Sequence, residues 1–279
     1  MSDPRLTPAN ARVAAMELQG QLQGVTFTEG TAQMVVRPVV DLLRSPGGPR
    51  DRQLLFGDRV RVFEEREGVA FVQAEKDGYV GYLPHEALGQ PDVPTHWVSV
   101  LATHLYPEPD FKRPELMGLS FGSRLRIVAE VGRYSQTSQG HFVPKMHLSA
   151  LSDHPSDLVA TAALFCGVPY LWGGNSAHGL DCSGLVQAAA LATGHPCPGD
   201  SDLQMATLGE ELPPDTPPQR GDLLFFKGHV ALVADADTLL HANAFHMATA
   251  YEPLKAALDR IAAQGDGPAL AHRRLVAKL

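Results

Sequence analysis

Residues 169–184 read Pro-Tyr-Leu-Trp-Gly-Gly-Asn-Ser-Ala-His-Gly-Leu-Asp-Cys-Ser-Gly, a glycine-rich stretch that leads into an apolar run. The spacing of the apolar residues predicts a helix from Cys182 to a stop at Gly194, with Asp181 as its N-cap. The N–H groups and the positive dipole end of a helix N-terminus favour a thiolate over a thiol. Cys182 is therefore the candidate nucleophile.

A general base for this cysteine is predicted downstream. Residues 220–233 contain two apolar runs on either side of Lys227-Gly228, a pattern typical of a β-hairpin. His229 begins the second predicted strand, where rigid backbone would hold its imidazole. Residues 239–243, Leu-Leu-His-Ala-Asn, predict the next antiparallel strand and can place His241 beside His229, where it would fix the tautomer and orientation of that ring. A cysteine, a histidine and a third polar group form the thiol version of a catalytic triad.

These motifs resemble, in type and in order, those of the NlpC/P60 cysteine peptidases. The resemblance covers residues 155–255 and is carried by Tyr170-x-Trp172-Gly173-Gly174, Asp181-Cys182-Ser183-Gly184, Arg220-Gly221-Asp222-Leu223, Gly228-His229-Val230 and His241. It implies an α+β fold with a papain-like catalytic domain, in which Cys182 attacks, His229 is the base and His241 is the third polar residue. The related acyltransferases with permuted order place the histidine before the cysteine, so the order found here argues against them.

Further roles are expected around the nucleophile. The backbone N–H of Cys182 is a natural oxyanion donor, and the resemblance adds the phenol of Tyr170 as a second one. Asp181 can bind an ammonium group of a substrate by a charge-assisted hydrogen bond, or serve only as the N-cap. We expect Ser183 to contact substrate rather than sulfur, and Trp172 with its paired glycines to shape the approach to the helix.

An internal repeat precedes this region. Residues 55–62, Leu-Phe-Gly-Asp-Arg-Val-Arg-Val, match residues 120–127, Ser-Phe-Gly-Ser-Arg-Leu-Arg-Ile, at an offset of 65. Each copy is followed by a glycine-aromatic-apolar-proline signal, at residues 81–84 and 140–144. Alternation of polar and apolar residues at 59–63 indicates half-buried strands. The repeat predicts two small β-barrels of one kind, which resemble bacterial SH3-like (SH3b) domains.

The chain is thus predicted to have four segments. They are an N-terminal segment at 1–33 with a short helix over Ala9–Leu22, SH3b barrels at 34–90 and 94–149, and a peptidase domain at 155–279. This arrangement resembles γ-D-glutamyl-L-diamino acid endopeptidases that act on murein peptides. In that subgroup an acid and a tyrosine of the first barrel help to hold the amino end of the substrate. The candidates here are Asp51 for the acid and Tyr79 or Tyr82 for the aromatic residue.

The resemblance implies a substrate with a free L-Ala terminus, followed by γ-D-Glu and a diamino acid, which is cut before the diamino acid. Such an enzyme would fit the recycling of murein peptides. Two alternatives remain open from the sequence: an exported hydrolase of intact peptidoglycan, and a non-catalytic protein whose SH3b pair binds a peptide. The sequence also leaves open whether the diamino acid is diaminopimelate or lysine, and how the chain assembles.

Composition limits the partners of the chain. A formal charge of −8 disfavours electrostatic binding of nucleic acid or of an anionic membrane. No segment is long and apolar enough to span a membrane, and the first residues lack a secretory signal, so we expect a cytoplasmic protein. The twelve histidines and three cysteines show no metal-ligand spacing, and we predict no metal or other cofactor.

The remaining conspicuous residues have structural interpretations. Cys166, which ends an apolar helical run, is predicted to lie in the core. Cys197, between two prolines, is expected in a loop as a surface thiol. Asp222 is expected to cap or brace the hairpin.

Overall fold

The computed structural model describes residues 3–213, 215–265 and 267–275 of the chain. The chain divides into two compact units, residues 1–153 and 154–279. The outermost residues of the predicted first and last segments, 1–2 and 276–279, lie outside the described ranges. No helix within the described part of the chain is long and apolar enough to cross a membrane.

The helix predicted over Ala9–Leu22 is wrong. This segment forms strand β1 (Val13–Ala15), which pairs in parallel with β2 (Thr26–Thr28), and a 3₁₀ helix at Met16–Leu18. The side chain of Asn10 accepts hydrogen bonds from two backbone N–H groups that follow it, which favours a turn over a helix. Burial of the strand against aromatic residues of the first barrel then outweighs the local helix propensity.

The first repeat is a seven-stranded antiparallel sheet with the order β5-β4-β8-β7-β6-β3-β9. Its elements are β3 (Thr31–Val35), β4 (Val39–Leu43), β5 (Arg50–Leu55), β6 (Arg59–Arg66), β7 (Val69–Ala74), β8 (Val80–Pro84), a 3₁₀ helix (His85–Ala87) and β9 (Leu88–Gly89). Alternate residues of these strands, with the ring of Tyr79, fill one apolar core.

The second repeat has the same pairings in three small sheets. Its elements are β10 (His96–Val98), β11 (Ala102–Leu105), β12 (Met117–Ser120), β13 (Arg124–Leu125), β14 (Ile127–Val131), β15 (Tyr134–Thr137), β16 (Phe142–Pro144), a 3₁₀ helix (Lys145–His147) and β17 (Leu148–Ala150). Strand β10 pairs with β13 and β17 as β3 pairs with β6 and β9, and the consecutive pairs β11-β12, β14-β15 and β15-β16 match β4-β5, β6-β7 and β7-β8. The duplicated sequence therefore encodes a duplicated strand order.

The repeated Phe-Gly pair explains why this stretch of sequence recurs. Gly57 and Gly122 both have a left-handed φ, of 84° and 86°, at the same turn of each repeat. A Cβ on Gly57 would lie 2.1 Å from the carbonyl oxygen of Arg124. Phe56 packs in the core of the second repeat, and its carbonyl accepts the N–H of Arg124 at 2.9 Å. The motif thus joins the two repeats as well as turning the first.

The second unit is built on a six-stranded antiparallel sheet with the order β20-β25-β21-β22-β23-β24. Its elements are α1 (Leu158–Ala163), β18 (Asn175–Ser176), β19 (Gly179–Leu180), α2 (Cys182–Ala192), α3 (Ser201–Thr207), β20 (Glu210–Glu211), β21 (Asp222–Phe226), β22 (His229–Asp235), β23 (Thr238–Asn243), β24 (Ala248–Pro253), α4 (Leu254–Ala263) and β25 (Ala271–Arg274). Helix α4 packs on apolar residues of β21, β22 and β23. Helix α2, which begins at Cys182, contacts β22 and β23. These two strands carry His229 and His241.

Candidate active site

The helix predicted to begin at Cys182, the candidate nucleophile, is confirmed. Helix α2 begins at Cys182, and Gly194, with a φ of 81°, follows its C-terminal end. Asp181 is the N-cap: its Oδ1 accepts the N–H of Gly184 at 2.7 Å and the hydroxyl of Ser183 at 2.9 Å. Cys182 is buried, at 6% exposure. A helix N-terminus favours the thiolate form of a cysteine, whereas burial acts in the opposite direction.

The glycines of the motif allow the backbone to pack closely at this helix start. A Cβ on Gly184 would lie 2.4 Å from the carbonyl oxygen of Gly174, and a Cβ on Gly174 would lie 2.5 Å from that of Gly179. The Oδ2 of Asp181 accepts the N–H of Gly173 at 2.9 Å, so one carboxylate ties the glycine-rich loop to the helix. Side chains at these glycines would push the loop away from the start of the helix.

The predicted hairpin and the predicted histidine pair are both present. Phe226 pairs with His229 across the turn at Lys227-Gly228. The Nε2 of His229 lies 3.0 Å from the Nδ1 of His241, which is fully buried on β23. His246 is exposed in the following turn, where its Nδ1 bonds the side chain of Asn243. The structure therefore brings His241, rather than His246, to His229.

Two residues that the sequence analysis did not single out complete this arrangement. The Nε2 of His241 lies 2.9 Å from Oε2 of Glu252, a carboxylate with 6% exposure on β24. Arg260 of α4 donates to both oxygens of Glu252, at 2.9 and 2.7 Å. Leu239 stands opposite Glu252 in the strand register, so His241, two residues further on, faces the same side of the sheet. The sequence offers only one signal for this role, which is an acidic residue within a predicted strand. That Glu252 meets His241 and Arg260 depends on the register of β23 and β24 and on the packing of α4.

Burial and charge set the protonation of the two imidazoles. Burial, with the nearby His241 and Arg260, lowers the pKa of His229 to about 3, and Glu252 acts in the opposite direction. Burial likewise lowers the pKa of His241 to about 4, against the charge and hydrogen bond of Glu252. Both rings are therefore neutral at pH 7. Among the groups that shift these two pKa values, Glu252 is the one that favours an imidazolium.

Tyr170 lies close to Cys182, the candidate nucleophile, as the oxyanion role predicted for its phenol requires. Burial raises the pKa of its phenol, and the charges of Cys182 and Asp181 raise it further. The phenol thus keeps its proton and can donate a hydrogen bond. The backbone N–H of Tyr170 donates to the carbonyl of Met247 at 2.9 Å. This bond holds Tyr170 against the loop that follows β23.

Buried amides brace the helix and were also not predicted. The Nε2 of Gln204, on α3, donates to the carbonyls of Ser183 and Pro198, at 2.9 and 3.0 Å. Gln187 accepts from Asn175 at 3.1 Å and donates to the carbonyl of Cys197 at 3.1 Å. No sequence motif marks Gln187 or Gln204, because glutamine is common on exposed helix faces. Only the tertiary fold buries these two side chains.

The core position predicted for Cys166 and the surface position predicted for Cys197 are wrong, although Cys197 does lie in a loop. Helix α1 ends at Ala163, and the turn that follows exposes Cys166 while Phe165 enters the core. Cys197 is buried, at 3% exposure, because the chain after α2 folds back over the helix.

Trp172 is 70% exposed, so its ring lies at the surface of the peptidase unit rather than in its core.

The role predicted for Asp222 is confirmed. Its Oδ2 accepts the N–H of Gln219 at 2.9 Å, ahead of the hairpin. Arg274 donates to both of its oxygens, at 2.6 and 2.8 Å, and His272 bonds Oδ2 at 2.7 Å. Asp222 is fully buried and ties β21 to β25.

The residues suggested for substrate binding in the first barrel lie in different settings. Asp51 pairs with Arg44 at 2.6 Å. Tyr79 is a core residue of the barrel, with 2% exposure. Tyr82 packs its ring on Phe71, at 5.0 Å between centroids, and lines a surface cavity. Tyr82 is therefore the more accessible of the two aromatic candidates.

One group of potential metal-binding atoms did not follow from sequence spacing. Single side-chain atoms of His241, His246 and Glu252 lie within 4.8 Å of one another among the described residues. The turn after β23 brings His246 back toward the sheet, which linear spacing could not reveal. The absence of a metal cofactor stays a prediction.

Comparisons with known proteins agree with this geometry. Residues 42–88 match the family described as the bacterial dipeptidyl-peptidase SH3 domain, and residues 167–257 match the NlpC/P60 family. A γ-D-glutamyl-L-lysine dipeptidyl-peptidase of Bacillus subtilis is 33% identical over 219 residues, which cover 68% of this chain and 71% of that protein. The dipeptidyl-peptidase 6 of Lysinibacillus sphaericus is 28% identical over 219 residues, covering 68% and 79%.

A solved structure extends the similarity over most of the chain. The crystal structure of an NlpC/P60 family protein from Bacillus cereus matches with a TM-score of 0.76 and 21% identity. The match covers 88% of this chain and 100% of that one. At this identity it shows a shared fold.

Proposed function

Since this chain belongs to the NlpC/P60 family of cysteine peptidases, we propose that it hydrolyses the γ-D-glutamyl–diamino acid bond of murein peptides whose L-Ala terminus is free. We place this activity in the cytoplasm, in the recycling of murein peptides. The observation that carries the proposal is Cys182 at the capped start of α2, with the hydrogen-bonded pair of His229 and His241 on the two strands that α2 contacts.

In the proposed mechanism His229 takes the proton of Cys182, and the thiolate attacks the carbonyl carbon of the γ-linked amide. The oxygen of the tetrahedral intermediate receives hydrogen bonds from the N–H of Cys182 and the phenol of Tyr170. The imidazolium of His229 then protonates the departing amine, which leaves an acyl-enzyme. Water, deprotonated by His229, attacks the thioester, and collapse of the second intermediate releases the carboxylate product and returns the proton to the sulfur.

The names of the relatives support the substrate class. Two of them are called dipeptidyl-peptidases, and one name specifies γ-D-glutamyl-L-lysine. The carboxylate of Asp181, next to the nucleophile, is the group we propose to receive the free amine of L-Ala, while it also caps the helix. Ser183, whose hydroxyl donates to Asp181, would hold that carboxylate in place and contact the substrate.

In the first barrel we propose Tyr82 as the aromatic residue that assists at the amino end of the substrate. Its ring lies at a cavity that Arg12 and Glu64 also line, whereas Tyr79 is enclosed in the core. Asp51, held by Arg44, is the proposed acid. Replacing Tyr82 by Phe should raise KM for the free-amine peptide and leave Cys182 alkylation unchanged.

The test is digestion followed by mass spectrometry. The substrates are L-Ala-γ-D-Glu-meso-diaminopimelate, its L-lysine counterpart, the N-acetylated forms of both, and intact sacculi. The proteins are wild type, Cys182→Ala and, as a matched control at an exposed thiol, Cys166→Ala. We expect release of L-Ala-D-Glu from the free-amine peptides alone, lost in Cys182→Ala and retained in Cys166→Ala.

Each other outcome has a defined meaning. Cleavage of sacculi would replace the proposal by a hydrolase of intact peptidoglycan. Cleavage of the N-acetylated peptides at the same rate would remove the role of the free amine. No cleavage of any substrate by a folded wild-type protein would favour a peptide-binding protein.

A further inference from the structure

We propose that Glu252, held by Arg260, is a positioning residue that sets the tautomers of His241 and His229 and stabilises the imidazolium formed on His229. The inference rests on the proposed catalytic roles of Cys182 and His229. It assigns a function to a carboxylate that no sequence motif marks.

The hydrogen bonds form one continuous series. It runs from the Nε2 of His229 to the Nδ1 of His241 over 3.0 Å, and from the Nε2 of His241 to Oε2 of Glu252 over 2.9 Å. Arg260 closes the series by donating to both oxygens of Glu252. His241 and Glu252 are buried, so water does not compete for these bonds.

The chemistry of the groups fixes the direction of every bond in the series. An ionised carboxylate only accepts hydrogen bonds, so the Nε2 of His241 must carry a proton. The Nδ1 of a neutral His241 is then an acceptor, and the Nε2 of His229 must donate to it. His229 is left with a bare Nδ1, the lone pair of a general base. One carboxylate at the far end thus selects the tautomers of both rings.

The same carboxylate acts after proton transfer. When His229 takes the proton of the thiol it becomes positively charged, and the negative charge of Glu252 at the end of the series stabilises that form. The arrangement performs the task of the aspartate in a serine-protease triad, with one imidazole inserted between base and acid.

Arg260 keeps Glu252 in the required state. Burial on its own would raise the pKa of Glu252, but the hydrogen bond and charge of Arg260, together with His241, outweigh it and hold the pKa below its usual value. The guanidinium is itself fixed, 4.6 Å above the ring of Phe245. Glu252 is therefore ionised throughout the pH range in which a thiol peptidase works.

A metal site is the rival explanation of the cluster of His241, His246 and Glu252. Both oxygens of Glu252 accept from Arg260, and both ring nitrogens of His241 are in hydrogen bonds. The Nδ1 of His246 bonds Asn243. A cation here would also face a guanidinium. The contacts favour a hydrogen-bonded series over a metal site.

Several charged or titratable groups surround the two imidazoles and bear on any pH profile. Glu252 on β24, Arg260 on α4 and His246 in the turn after β23 act on the imidazoles, while Cys182 and Asp181, at the start of α2, act on the phenol of Tyr170. A substitution at Glu252 changes one of these charges and leaves the others in place.

The first test uses Glu252→Gln and requires no substrate. In the variant, the amide oxygen would turn to Arg260 and the amide NH₂ to His241, which would force the other tautomer on His241. We expect the rate of alkylation of Cys182 by iodoacetamide, followed by peptide mass spectrometry, to fall about tenfold near pH 6.5, equivalent to about one pKa unit. Above about pH 9.5 the thiol ionises without help from an imidazolium, and the rate should approach that of wild type.

The matched control is Asp222→Asn, which neutralises the other buried carboxylate bonded to an arginine and a histidine. It should leave the alkylation profile of Cys182 unchanged, because His272 does not bond a second imidazole in the described structure. In peptide hydrolysis, Glu252→Gln should lower kcat about 100-fold, within the range of general-base catalysis, with KM changed less than about threefold. Glu252→Asp, which keeps the charge, should recover part of kcat.

An equal alkylation profile in wild type and Glu252→Gln, with kcat unchanged, would overturn the proposal. Should Glu252→Gln fail to fold, ¹⁵N-histidine NMR of the wild-type protein decides instead. A proton on Nε2 of both His229 and His241 supports the inference, and a proton on Nδ1 of His241 refutes it. If the substrate proposal alone is wrong, the alkylation and NMR results will still appear in the absence of peptide cleavage.

Discussion

Among the described residues of the peptidase unit, two buried carboxylates each hold an arginine and a histidine. Glu252 bonds Arg260 and His241, and Asp222 bonds Arg274 and His272. The local chemistry is almost the same in both clusters. The difference is that His241 continues to a second imidazole on β22, a strand that α2 contacts, whereas His272 bonds Asp222 and no second imidazole among the described residues.

The two clusters share the same kinds of bonding partner but differ in their proposed roles, so we do not assign a catalytic role to a histidine from its bonding partners alone. Asp222 ties β25 to β21 and holds the turn before the hairpin, which is a structural task. Glu252 also joins a strand to a helix, but its histidine passes the effect of the charge to His229. The two clusters differ in their position relative to Cys182, the proposed nucleophile, and substitutions in each cluster can test whether that position decides its function.

The largest expected effect is the loss of activity on replacing His229, which bonds the Glu252 cluster through His241 and has no counterpart in the Asp222 cluster. His229→Ala should lower kcat/KM by about 1,000-fold, since it removes the proposed general base. His272→Gln, measured at a temperature where the variant is folded, should keep kcat/KM within about twofold of wild type. Steady-state hydrolysis of the murein tripeptide measures both. Equal losses in the two variants would mean that the clusters are not functionally distinct.

The second effect is on stability and belongs to the other cluster. Asp222→Ala leaves Arg274 and His272 without their carboxylate, and we expect the free energy of unfolding to fall by about 3 kcal/mol. Urea denaturation followed by circular dichroism measures this change. Hydrolysis at low temperature should remain near the wild-type value, and a loss as large as that of His229→Ala would argue for a catalytic part for Asp222.

The pH dependence of that stability has a defined sign. Burial alone would raise the pKa of Asp222, but Arg274, the N–H of Gln219 and His272 lower it below its unfolded value. The stabilisation is therefore fully present above the unfolded pKa of about 4 and is lost as the pH falls through the folded value. Denaturation of wild type and Asp222→Asn at several pH values should show a difference that shrinks below about pH 4. A difference that grows there would contradict the assigned charge state.

The local parts of the site could be predicted from the sequence, and the reason is physical. Asp181 caps a helix whose first residues follow it directly, and Lys227-Gly228 turns a hairpin between adjacent strands. Contacts of this kind depend on residues a few positions apart. The repeat was visible because a turn that requires glycine at Gly57 requires it again at Gly122.

The unpredicted parts depend on tertiary packing. Glu252 reaches His241 only through the register of β23 and β24, and Arg260 reaches Glu252 only because α4 packs on the sheet. The predicted helix over 9–22 failed for the same reason, since burial against the first barrel decides its structure. Cys166 was assigned to the core because the helical pattern was extended past Ala163, where the helix ends.

The smallest expected effect compares the two arginines. Arg260 and Arg274 each bond both oxygens of a carboxylate, and a lysine can offer only a single ammonium group in the same place. Arg260→Lys and Arg274→Lys should each lower the free energy of unfolding by about 1 kcal/mol. With a single bond from lysine, the Glu252 carboxylate would be held less firmly and would orient His241 less well. We therefore expect kcat to fall about threefold in Arg260→Lys but not in Arg274→Lys. Thermal melts and steady-state kinetics on the same samples separate the effect on stability from the effect on kcat. An equal fall of kcat in Arg274→Lys would show that a general loosening of the sheet controls the rate, rather than the hydrogen-bond series from Glu252 to His229.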